Sequence, residues 1–168
     1  VRIGLGIDTH AFAPEVEGRA LIIGGVAIEH PRGLAGHSDA DVLVHAIMDA
    51  LLGAARLGDI GKHFPPTDAS YKDACSLELL KQVADLLTSD GWRIVDIDSV
   101  IIAQQPRLSP YREEMSCNIE QALKLRSGQV GIKATTTEYL GFEGREEGIS
   151  AHAVVLLDRA FSFGMLGM

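Results

Sequence analysis

Cysteine is scarce. Cys75 and Cys117 are the only two in 168 residues, and they stand far apart with no Cys-x-x-Cys. Neither has a ligand partner at metal-binding spacing, and a reducing, cytoplasmic setting is the simplest reading of them. Aromatic residues make up only 5% of the chain, so its core must be built mainly from Leu, Ile, Val and Ala. Basic charge is also short: 15 Lys and Arg against 23 Asp and Glu give a net charge of −8. That argues against a nucleic-acid surface, which needs clustered cations. It also means that a phosphorylated substrate would need metal ions or backbone N–H groups to be held. No apolar run approaches a membrane span, and no signal peptide precedes the first strand pattern. The first residue is Val1 rather than Met. There is no internal repeat, linker or low-complexity tract.

What is present is enough chain for one domain with its own core. Residues 2–12 read as a strand. Residues 20–28 read as a hairpin turning at Gly24-Gly25. Ser38, with Asp41 three residues on, reads as the N-cap of a helix reaching Ala55. Residues 57–73 are irregular, with Gly58, Gly61, Pro65 and Pro66. A second helix covers about 75–89 and stops at Gly91. Residues 92–104 read as a long strand. Ser109-Pro110 opens a third helix to about Leu125, and 129–136 and 151–157 read as the last strands. This order predicts an α+β fold: a two-layer sandwich, a mixed β-sheet with helices packed on one face.

Within the first strand, Asp8 and His10 are two positions apart, so both side chains project from one face. A carboxylate and an imidazole fixed side by side make two thirds of a three-ligand metal site. His45, inside the first helix, is the candidate third ligand, with Asp41 and Asp49 one turn away on either side to orient its ring. Two imidazoles and one carboxylate leave a tetrahedral position open, as in a catalytic zinc site.

Three segments are rich in phosphate-holding groups. Gly36-His37-Ser38-Asp39 lies at the mouth of the first helix, where N–H groups are free and the dipole is positive. Lys133-Ala134-Thr135-Thr136-Thr137-Glu138, followed by Gly141-Phe142-Glu143-Gly144-Arg145, reads as a phosphate and cation cradle. Ala103-Gln104-Gln105-Pro106-Arg107-Leu108 leaves a strand by a Pro-bearing turn whose backbone could meet a base or a sugar.

In this order, and joined by Leu57-Gly58-Asp59-Ile60-Gly61 and Phe64-Pro65-Pro66-Thr67-Asp68, these segments resemble the 2-C-methyl-D-erythritol 2,4-cyclodiphosphate synthase family of the non-mevalonate isoprenoid pathway. The resemblance runs from about Arg2 to Leu157. It implies a lyase acting on 4-diphosphocytidyl-2-C-methyl-D-erythritol 2-phosphate, whose 2-phosphate attacks the β-phosphorus and releases CMP. It implies a divalent ion at Asp8, His10 and His45, zinc by ligand chemistry with manganese or cobalt as alternatives. A second ion, magnesium or manganese, bridges the diphosphate at Glu138. His37 and Thr136 contact the phosphates and stabilise the transition state, with Ser38 beside them. Asp59 and Gly61 belong to the erythritol-binding segment, and Phe64 to Asp68 form a lid-like loop. Ala103, Pro106, Arg107 and Leu108, with Thr135 and Thr137, line a cytidine pocket; Phe142 follows in the cradle and Arg145 approaches the cytidine phosphates. The resemblance further implies a homotrimer with active sites between subunits, no nucleic-acid or membrane partner, and a bacterial-type cytoplasmic location, or a plastid stroma once a transit peptide is removed.

The expected synthase domain spans residues 1–158, leaving 159–168 as a tail in which Phe161, Phe163, Met165 and Leu166 either pack on the trimer or hang free. The 13–19 loop is longer than in many family members, and Arg107 stands where Lys is common. Two rival readings remain. A zinc hydrolase accounts for the three ligands but not for Thr-Thr-Thr-Glu. A non-catalytic diphosphate-binding module predicts affinity that survives metal removal.

Overall fold

Alternation along the first segment does produce a strand, β1 (Arg2–Ala11). The computed structural model describes residues 1–160. A hairpin follows, β2 (Leu21–Ile23) and β3 (Val26–Ile28), with Gly24 and Gly25 both at positive φ as the tight turn demands. Then come α1 (Val42–Ala55), a four-residue α2 (Ile60–His63), α3 (Ser76–Ser89), β4 (Trp92–Ile102), α4 (Arg112–Ala122), β5 (Val130–Thr135), a four-residue α5 (Gly141–Gly144) and β6 (Gly148–Arg159). The main sheet runs β1-β6-β4-β5. β6 is antiparallel to both β1 and β4, while β4 and β5 are parallel, so the sheet is mixed as expected. α1 packs across β1 and β6, α3 against α1 and β4, and α4 against β5. No described helix is long and apolar enough to cross a membrane.

The row of β1 that faces α1 is Gly4, Gly6, Asp8 and His10. A Cβ on Gly4 would fall 2.0 Å from the Ala50 carbonyl oxygen, and one on Gly6 2.0 Å from that of Ala46. With Ala46, Ala50 and Ala54 on its own near side, α1 can therefore lie directly on the strand backbone. That contact carries His45 to the level of Asp8 and His10. The other row of β1 is apolar and unburied: Ile3, Leu5 and Ile7 are 71%, 63% and 52% exposed, beside Val154 on β6.

Helix starts depart from the sequence reading. α1 begins at Val42, and its N-cap is Asp41, whose carboxylate accepts from Val44 N at 3.1 Å. The same carboxylate accepts from Gly24 N and Gly25 N at 2.9 and 2.7 Å, clamping the hairpin turn onto the helix. Burial pushes this carboxyl up to about 6 against the pull of those three donors. Ser38 is free of capping because its hydroxyl faces His45. Ser109 likewise does not cap: it opens a single 3₁₀ turn, and its hydroxyl accepts from Arg107 Nε at 3.0 Å. The α-helix behind it ends at Ala122, short of Leu125. β6 extends to Arg159, the first residue of the expected tail; Phe161, Phe163, Met165 and Leu166 lie outside the described residues.

Candidate active site

Asp8 Oδ2 lies 2.9 Å from His10 Nε2 and 3.1 Å from His45 Nδ1, and the two ring nitrogens are 3.2 Å apart. Ligand atoms bound at about 2.1 Å around a tetrahedral zinc sit about 3.4 Å from one another. The three atoms thus already outline one face of such a site. Among the described residues, no other group of three His, Cys, Asp or Glu side chains is so arranged. The donor set also fits the ion in chemistry, one carboxylate and two imidazoles.

Burial works against the charge on Asp8, but its contacts with the His10 and His45 imidazoles outweigh it and hold the carboxyl well below its usual range. Burial also opposes charge on His10, yet the Asp8 carboxylate raises its affinity for a proton. His10 Nδ1 donates to the Ala35 carbonyl oxygen at 2.7 Å, which turns Nε2 and its lone pair inward.

His45 is nearly buried, and the sequence reading misplaced what stands behind it. Asp41 is occupied by the hairpin and the helix cap. Asp49 accepts from Ile60 N at 2.8 Å, so it docks α2 rather than orienting the imidazole. His45 Nε2 instead meets Ser76 Oγ at 2.9 Å and Ser38 Oγ at 3.2 Å.

The metal corner opens into a cleft of about 310 Å³ lined by Asp8, His10, His37, Ser38, His45, Met48, Ile60, Gly61, Phe64, Pro66, Tyr71 and Leu79. Five of the expected phosphate, erythritol and lid residues are thereby accounted for or adjacent. His37, Ser38, Gly61 and Phe64 line the cleft; Asp68 caps the short turn at Ala69–Tyr71, and its carbonyl oxygen lies 3.4 Å from His37 Nε2. Asp59 is not in the lining: it caps α2 by accepting from Lys62 N. Of the segment Gly36–Asp39 expected to offer free N–H groups, Asp39 N is already used, as are the next two N–H groups toward the helix. Asp39 N donates to Ala74 O, Ala40 N to Ser38 Oγ and Asp41 N to Asp39 Oδ1. Arg19, from the long 13–19 loop, donates to the carbonyl oxygens of Leu34 and Ser38 and fixes this segment.

The remaining candidates form a separate group. Ala103, Pro106, Arg107, Leu108, Thr135 and Thr136 line a second cleft of about 400 Å³ with Gln104, Gln105, Ser109 and Ala134. The two clefts share no lining residue. Beyond the second, Thr136 Oγ1 donates to Glu138 Oε1 at 2.9 Å, Thr137 Oγ1 donates to Leu140 O, and Arg145 pairs with Glu147 at 2.8 Å. Phe142 is half-buried in α5. Within one chain these groups engage one another, not the metal corner.

Sequence reasoning missed Ser76, Tyr71, Met48 and Leu79. The last three carry only a core signal, and Ser76 reads as an ordinary first residue of a helix.

Over residues 1–158 the chain matches the YgbB family. It is 58% identical over 160 residues to the 2-C-methyl-D-erythritol 2,4-cyclodiphosphate synthase of Syntrophomonas wolfei, covering 95% of this chain and 100% of that protein. Against the enzyme of the same name from Clostridium botulinum the identity is 60% over 158 residues, covering 94% and 100%. Among solved structures, it resembles the bifunctional IspDF from Campylobacter jejuni, with TM-score 0.89, 44% identity and 94% of this chain covered; it spans 42% of that longer protein. It also resembles IspF of Plasmodium falciparum in a CDP complex, with TM-score 0.82 and 32% identity, covering 95% of this chain and 97% of that one.

Proposed function

The chain belongs to the YgbB family of 2-C-methyl-D-erythritol 2,4-cyclodiphosphate synthases, and we propose that its metal corner and its 135–145 turn act on one substrate from two neighbouring copies. The reaction is the family's: 4-diphosphocytidyl-2-C-methyl-D-erythritol 2-phosphate closes to the 2,4-cyclodiphosphate, and CMP leaves. An oxygen of the 2-phosphate forms a bond to the β-phosphorus while the bond from that phosphorus to the α–β bridging oxygen breaks. The bridging oxygen departs with CMP, and no water is consumed. The nucleophile belongs to the substrate, so the protein needs no Ser-His or Cys-His pair. Its work is positioning and stabilising charge.

Divalent ions, zinc at Asp8, His10 and His45 and magnesium or manganese at Glu138, would supply Lewis-acid neutralisation of the phosphate oxygens, offsetting the −8 charge of the chain. The His37 imidazole and the Ser38 hydroxyl, at the wall of the first cleft, bind the phosphate that reacts there. Gly61 and Phe64 hold the erythritol carbons and exclude water. The Thr136 hydroxyl, once turned from Glu138 toward the diphosphate, donates to oxygens that gain charge. Thr135, Ala103, Pro106, Arg107 and Leu108 receive the cytidine, Thr137 and Phe142 shape the turn, and Arg145 approaches the nucleotide phosphates. A homotrimer brings the two clefts together. The exposed apolar row Ile3, Leu5, Ile7 and Val154 supports this, being a surface that closed symmetric assembly would cover. The whole reaction unit is one domain over residues 1–158.

The observation that carries this reading is the Asp8–His10–His45 triangle, no side longer than 3.2 Å, at the wall of a cleft. Phosphorus NMR with substrate and Mg²⁺ tests it. Cyclic diphosphate and CMP are expected from the wild type, with turnover at least about 1,000-fold lower in His45→Ala, since the metal's charge stabilisation is worth several kcal/mol. Open, hydrolysed phosphates would favour a zinc hydrolase. An unchanged spectrum from folded, metal-loaded protein would favour a binding module.

A further inference from the structure

We infer that Ser76 and Asp39 are positioning residues for the His45 ligand, joined as a carboxylate–hydroxyl–imidazole relay that decides which ring nitrogen carries the proton. The inference rests on the metal centre proposed above. Each imidazole there must present a bare nitrogen inward, so its outer nitrogen must hold the hydrogen. For His10 the outer partner is a carbonyl oxygen, which can only accept, and the tautomer is settled. His45 has no such partner. Its Nε2 faces two hydroxyls, Ser76 Oγ and Ser38 Oγ, and a hydroxyl can donate or accept. A hydroxyl donating to Nε2 would put the proton on Nδ1, pointing at the ion's position and blocking it.

Asp39 removes that ambiguity. Its Oδ1 accepts a hydrogen bond from the Ser76 hydroxyl, and its Oδ2 accepts from the Ser76 backbone N–H at 2.9 Å. With its proton committed, Ser76 Oγ can only accept from His45. Against the competing pull of Asp8 Oδ2, which lies 3.1 Å from Nδ1, Nε2 then carries the hydrogen, and the Nδ1 lone pair is kept for the ion. Ser76 is fully buried, so no solvent competes for its hydroxyl. Asp39 is held independently of Ser76: its N–H donates to Ala74 O at 3.1 Å, and Asp73 N donates to His37 O at 2.8 Å, stitching residues 37–39 to the segment before α3. Ser38 Oγ also accepts, from Ala40 N at 3.2 Å. Its own proton is thus free to turn away from Nε2 and into the cleft. The arrangement is a carboxylate–histidine–metal support with a serine interposed.

Two measurements test this. Long-range nitrogen–proton correlation on metal-free protein reads the His45 tautomer directly, and titration of Co²⁺ against a chelator reads affinity together with the cobalt absorption spectrum. The expected results are an Nε2–H tautomer in the wild type and a cobalt affinity lower by about 10–100-fold in Ser76→Ala, with an altered spectrum. Asp39→Asn, which keeps the side-chain shape, should shift tautomer and affinity in the same direction. An Nδ1–H tautomer in the wild type, or unchanged cobalt affinity in both folded variants, would overturn the relay. If His45→Ala leaves cobalt affinity untouched, the metal centre itself is contradicted. The tautomer, read without metal, still decides whether the relay exists.

Discussion

At the Asp8–His10–His45 corner both imidazoles have a partner behind them that turns a nitrogen inward; along residues 135–145 the same kinds of groups bond to one another or face solvent. The corner sits beneath a helix that rests on strand backbone, with its carboxylate already paired. The turn holds Glu138 and Tyr139 at successive positive φ values of 53° and 64°, a conformation that costs non-glycine residues energy and collects at functional sites. Tyr139 and Leu140 at its tip are more than two-thirds exposed. The difference teaches that one half of the proposed site is preorganised by the chain's own fold. The other half is assembled locally and, in the proposed trimer, meets its counterpart across a boundary between copies.

Separating the copies should therefore damage catalysis far more than metal binding. Leu5→Asp puts a carboxylate in the middle of the exposed apolar row. Sedimentation should show loss of the proposed trimer, and CMP release should fall by at least about 100-fold, because like charges brought together at an interface cost several kcal/mol. Cobalt affinity should stay within about threefold, since a surface change on the outer row leaves the ligands in place. Equal loss of both would erase the contrast between the halves.

Gly6→Ala attacks the preorganised half instead. The new methyl meets the Ala46 carbonyl oxygen and must push α1 away from β1. Thermal unfolding should show a loss of about 1–3 kcal/mol, typical of overpacking. Cobalt affinity should fall as well, while a CMP analogue bound at the second cleft should be unaffected.

The smallest effect is on the metal-free protein's response to pH. His10's raised pKa makes its contribution complete below the unfolded value of 6.5 and lost as pH rises through the folded value. Asp8's lowered pKa makes its contribution present above 3.8 and lost as pH falls through the folded value. The Tm of metal-free protein should thus decline on the alkaline side. Metal affinity should rise over the same range, because the ion needs the neutral imidazole that the proton vacates. Parallel trends would mean that the corner is not where metal and proton compete.

The legible parts of the molecule are those set by short-range periodicity. Alternation in β1 put Asp8 and His10 on one face, and the 3.6-residue pattern of α1 made His45 available as a third ligand. Groups brought together by tertiary packing left no comparable trace. Ser76 and Asp39 lie 37 positions apart in sequence and meet only because residues 37–39 are stitched to the start of α3. Ser38 had the sequence of a cap, but its hydroxyl is engaged by His45 and Asp41 caps in its place. α2 and α5, four residues each, are too short to show a period. The parallel pairing of β4 with β5 depends on the α4 crossover rather than on any residue of either strand.

Mixing two inactive variants tests the central claim most directly. His45→Ala spoils the corner and Thr136→Val the turn, and each alone should release almost no CMP. If each active site takes its corner from one copy and its turn from a neighbour, unfolding and reassembling the two in equal amounts should restore about a quarter of wild-type turnover, the fraction of boundaries with both halves intact in a randomly mixed ring. Turnover that stays at the level of the separate variants, in trimers shown to have exchanged chains, would place both halves in a single chain and contradict the account.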